Sequence, residues 1–105
     1  MATQPVVEQH IIFVTPDNQI NVDVILANSL VQALATNSMG TALILSIDHF
    51  RSLSGGVWTD HAFLEIKCYV PASFQATIQA NMPALQAAFP ALTVATWGYA
   101  ATWGF

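Results

Sequence analysis

The 105-residue chain carries two basic and six acidic side chains, for a net charge of −4, while 54% of its residues are hydrophobic. A chain of this length builds one hydrophobic core, and Arg51 and Lys67 alone cannot neutralise a run of phosphates, which excludes nucleic acid and an anionic membrane surface as direct partners. Only 8% of residues are charged, against roughly a quarter in an ordinary soluble domain. Much of the surface must therefore be uncharged and polar, or hidden against another subunit, because depletion of charge is the compositional mark of an interface.

In chain order, residues 6–15 are β-branched and apolar and read as a strand, which Pro16-Asp17-Asn18 ends in a turn. Before them, Met1 to Pro5 lack the basic and apolar regions of a leader, and no apolar run approaches the ~18 residues that span a bilayer. The expected location is the cytoplasm where the chain is made, or a virion if the assembly is viral. Val24, Ala27, Leu30, Val31 and Leu34 then fall at the spacing of one helix face, with Asn21 as N-cap and Gly40 beyond the last turn. A helix over residues 22–37 is predicted, although Ile20, Val22 and Val24 also alternate as a hairpin strand would.

Residues 41–53 and 57–70 are two apolar strands separated by Ser54-Gly55-Gly56, a β-hairpin. In the second, Trp58, Ala62, Leu64, Ile66, Cys68 and Val70 share the core face. Cys68 is the lone cysteine, so no internal disulfide forms, and it reads as a small buried side chain. Phe74, Ile78, Met82, Leu85 and Phe89 mark a second helix, in which Pro83 predicts a kink or restart near Asn81 and Pro90 the end. Residues 91–105 return to Thr, Val and aromatics as a last strand.

The order β-α-β-β-α-β predicts one α+β domain over 1–105 with the ferredoxin-like split βαβ arrangement: a four-stranded antiparallel sheet, two helices on one face, and an extended C-terminal strand. That strand holds an internal repeat, Ala95-Thr96-Trp97-Gly98-Tyr99 returning as Ala101-Thr102-Trp103-Gly104-Phe105. Six residues is an even step, so Trp97, Tyr99, Trp103 and Phe105 line one face. Fully extended, the segment reaches roughly 50 Å, twice a typical strand. Residues 98–105 are accordingly expected to overhang the sheet as an aromatic arm that docks on another subunit, or to fold back as a lid.

The hairpin holds the other constellation. With Ser54-Gly55 as a two-residue loop, Leu53 pairs with Gly56, Asp48 faces His61 and His49 faces Asp60. A carboxylate that orients an imidazole is the core of a general base, and it is also a plain polar clasp. No nucleophile or anion-cradling loop accompanies it, and His10, His49 and His61 are the only histidines, so no metal or cofactor is implied. Phe50, Phe63 and Tyr69 share the open sheet face, where aromatic content calls for a cover.

Two functions follow as expectations. The first is a self-associating structural or protein-interaction subunit, of which a viral-particle component is one kind, built on a homo-oligomer or a protein partner. The alternative is a small dimeric α+β-barrel enzyme whose paired open faces enclose an apolar or aromatic small molecule, with Asp48 and His61 as the base.

Overall fold

Alternation along β1 (Thr3–Val14) sets the two faces of the sheet. Val7, Ile11 and Phe13 are buried on one side, while Glu8, His10 and Ile12 on the other are only partly covered. The computed structural model describes residues 3–104, and side chains over 5–100. The sheet is completed by β2 (Ile44–Ser54), β3 (Val57–Pro71) and β4 (Thr93–Gly104) in the order β2-β3-β1-β4, with every neighbouring pair antiparallel. Helices lie on one face only, as the ferredoxin-like arrangement requires.

The first helical stretch is divided into α1 (Val22–Leu26) and α2 (Ser29–Asn37). Asn21 caps α1 by accepting from the Val24 N–H, as expected. Asn28 causes the break: its backbone is extended and its carboxamide oxygen accepts from the N–H of Leu30 and Val31, so it starts a new helix inside what the periodicity presents as one. The third helix, α3 (Gln75–Ala88), continues through Pro83 without the expected restart. Pro83 and Gln79, whose carbonyl loses its donor, both face solvent, and water meets that carbonyl at little cost. Gln86 fastens the end of α3 to β4, donating to the Phe89 and Leu92 carbonyls and accepting from the Val94 N–H.

Ile25, Val31, Leu34, Ile78 and Leu85 from the helices close over Val7, Ile11, Phe13, Leu64, Ile66, Cys68 and Val70 from β1 and β3. This apolar layer stops at β3. The helices never reach β2, which is exposed along nearly its whole length. The hairpin therefore projects from the body and stretches the molecule to 56 × 23 × 21 Å, with a radius of gyration of 15.3 Å against the ~13 Å of a compact chain this long.

The last strand does not overhang as expected. β4 pairs with β1 from Val14↔Thr93 back to Thr3↔Gly104, because β1 begins early enough to match it residue for residue. Residues 98–104 thus belong to a paired ribbon and not to a free arm. The Trp103 side chain and Phe105 lie outside the described residues.

Candidate functional site on the hairpin and open sheet face

The β2–β3 register differs from the sequence expectation by two residues. The loop is Gly55-Gly56, with φ of +57° and +77°, and Ser54 pairs with Val57. A two-residue loop with positive φ at both positions is the type I′ turn, which adjacent glycines adopt freely and Ser54 would not. The consequence is a correction: Asp48 faces Phe63, His49 faces Ala62, Phe50 faces His61 and Arg51 faces Asp60. Neither expected acid–imidazole pair is set cross-strand.

Each of these residues acquires another partner. Arg51 Nε lies 2.6 Å from Asp60 Oδ1 on the exposed helix side of the hairpin. Asp48 Oδ1 accepts from the His49 N–H at 2.9 Å. His61 is held at both nitrogens, with Nδ1 2.8 Å from the Thr15 carbonyl and Nε2 2.7 Å from Ser52 Oγ. A carbonyl only accepts, so Nδ1 carries the proton and, in the neutral ring, Nε2 takes that of Ser52. Phe50 stacks on the imidazole at 4.9 Å and meets Phe63 at 6.0 Å. With both nitrogens engaged and one ring face covered, His61 clasps the end of β1 to the base of the hairpin.

A second cluster, on the open face, escaped the sequence reading because it is assembled from β3, β1 and β4. His10 Nε2 lies 2.7 Å from Glu8 Oε2, and Glu8 Oε1 accepts from the Tyr69 hydroxyl at 3.0 Å. His10 Nδ1 sits 3.5 Å from Glu65 Oε1, inside ion-pair reach yet too far for a good hydrogen bond. Trp97 stacks on the His10 ring at 5.4 Å and Tyr99 meets it edge-on at 5.6 Å. Hydrogen bonds from His10 and then Tyr69 hold the Glu8 carboxyl below its ordinary value, and the same Glu8 pushes the Tyr69 phenol up. Only the strand order makes the cluster visible, since it sets Lys67 and Trp97 on either side of His10.

The three histidines stay apart: His10 and His61 lie six residues distant along the open face, and His49 is on the helix side. Among the described residues no group of three or more His, Cys, Asp or Glu side chains is placed to hold a metal ion. No described helix is long and apolar enough to cross a membrane.

The dominant surface feature is apolar. Leu45, Ile47, Leu53 and Trp58 line the helix side of the hairpin, with Ile47 52%, Leu53 57% and Trp58 59% exposed. Ile44, Phe50 and Val57 are exposed on the other side. Trp58 lies in line with the buried Ala62, Leu64 and Ile66, as expected, but beyond the reach of any helix.

No protein-family model and no curated protein matches the chain. Among solved structures it is similar to part of a Bacillus cereus protein related to NIF3, at 18% identity and a TM-score of 0.53, over 96% of this chain and 27% of that one. That likeness is one of fold. The chain spans about a quarter of the length of the Bacillus protein. It is also similar, at 13% identity and a TM-score of 0.40, to a dimeric ferredoxin-like protein from an uncultured marine organism, over 93% of this chain and 96% of that one.

Proposed function

We propose that the protein is a self-associating structural subunit, and that the projecting β2–β3 hairpin is where copies meet. The observation that carries this is the row Leu45, Ile47, Leu53 and Trp58, a continuation of the core face that no described element of the same chain covers. A monomer seldom leaves such a row wet, and a chain with eight charged side chains has little else to keep it soluble. Covering half-exposed side chains of this size returns about 1 kcal/mol each, or roughly 8 kcal/mol for the four residues of each of two copies. Association costs on the order of 4–15 kcal/mol, so the apolar row alone brings the balance near zero and further contacts must complete it.

The enzyme alternative loses its stated base, because Asp48 and His61 are not paired and His61 is fully engaged elsewhere. Light scattering across a concentration series tests the association. The expected mass is a multiple of 11.3 kDa that falls on dilution, and the double variant Leu53→Asp, Trp58→Asp shifts it toward the monomer while far-UV circular dichroism stays native. A wild-type mass of one chain at every concentration overturns the reading.

A further inference from the structure

Building on the self-association proposed above, we infer that the partner of β2 is the β2 of a second copy, paired antiparallel edge to edge so that two four-stranded sheets become one of eight strands. β2 is an edge strand of eleven residues. The pair Ser54↔Val57 encloses a two-residue turn, so these two residues must bond to each other at both backbone groups. Alternation from that pair turns the even residues of β2 toward β3 and the odd residues Leu45, Ile47, His49, Arg51 and Leu53 outward. His49 is consistent with this, since its N–H donates to the neighbouring Asp48 carboxylate.

This edge carries few of the devices that keep edges apart. It has no proline and no lysine, and its register with β3 is unbroken from Ile44 to Ser54. Its formal charges are one Asp48 and one Arg51, of opposite sign and on opposite faces, so the strand is neutral and selects neither an acidic nor a basic peptide. It does suit its own image. A two-fold axis perpendicular to the sheet puts helix side beside helix side, and Leu45, Ile47 and Leu53 of each copy then flank one seam. Like charges face each other only if the axis passes through residue 48 or 51; axes at 47, 49 or 50 keep them apart. The Asp48 carboxylate turns from the His49 N–H into solvent when the seam forms.

The variant His49→Pro tests this, because proline removes an outward N–H and is tolerated where an edge strand faces water. It is expected to keep the circular dichroism and thermal unfolding of the isolated fold and to weaken self-association by at least about tenfold, measured by sedimentation velocity. Amide hydrogen exchange gives a second reading that needs no variant. In the assembled wild type the outward amides of Ile47 and His49, which lie inside the seam for each of those three axes, become protected as concentration rises, whereas those of Ser46, Asp48, Phe50 and Ser52 are protected throughout. If the Ile47 and His49 amides exchange freely in the assembled species, or folded His49→Pro assembles as wild type does, the β2 seam is wrong and the self-association stands. If the wild type never assembles, both fall together.

Discussion

Gly98 has no room for a side chain. A Cβ there would lie 2.6 Å from Val7 Cγ1, 2.8 Å from Gln75 Nε2 and 2.9 Å from Gln9 Oε1. The two glutamine ends can move, but the Val7 methyl belongs to the buried layer and cannot. Gly98→Ala is therefore expected to cost about 1–3 kcal/mol, read as a lowered denaturant midpoint with the slope unchanged. Glu8 gives a test on the other face. Its folded carboxyl titrates below the ordinary value of 4.5, so its contribution is complete above that value and is lost as the pH falls through the lower, folded one. Urea midpoints measured downward from there should fall less steeply for Glu8→Gln than for wild type. Equal slopes would mean that the bonds from His10 and Tyr69 do not persist in solution. Neither residue stood out in the sequence: the Gly98 repeat was visible, but the neighbour that forbids a side chain, Val7, comes from β1 at the other end of the chain, and Glu8 meets Tyr69 across sixty-one positions.

Among the elements, strands and helices were legible wherever spacing and caps agreed, as with Asn21 before α1 and the stripe of α3. The errors were errors of punctuation. Asn28 has the chemistry of a cap and Gly55-Gly56 that of a type I′ turn, and both signals were present in the sequence but outweighed by a longer pattern. A loop misplaced by one residue shifts a hairpin by two and re-pairs every side chain along it, which is why the candidate Asp48 and His61 pair dissolved while their shared face survived. The turn offers its own test. Gly55 holds φ of +57° with open space around the missing side chain. Gly55→Asn should raise stability by about 0.4–1 kcal/mol, since asparagine accepts that conformation and narrows the unfolded chain, and Gly55→Val should lower it. Thermal or denaturant midpoints of the two variants carry opposite signs if the turn is as described.

For the molecule as a whole, the sequence showed how apolar the chain is but not where the excess lies. The aromatic C-terminal repeat was the obvious place to look, yet β1 pairs with it to its described end, and the uncovered apolar surface is on the hairpin instead. Apolar density marked β2 as a strand but not as an uncovered one, because burial depends on which helix passes over a strand and no local pattern carries that information. The long β1–β4 ribbon has one more consequence. Thr3 and Gly104 are partners across it, so the described backbone enters and leaves at a single point. Such a unit can be spliced into a surface loop of an unrelated host through two short junctions, holding the hairpin out at the opposite reach like a handle.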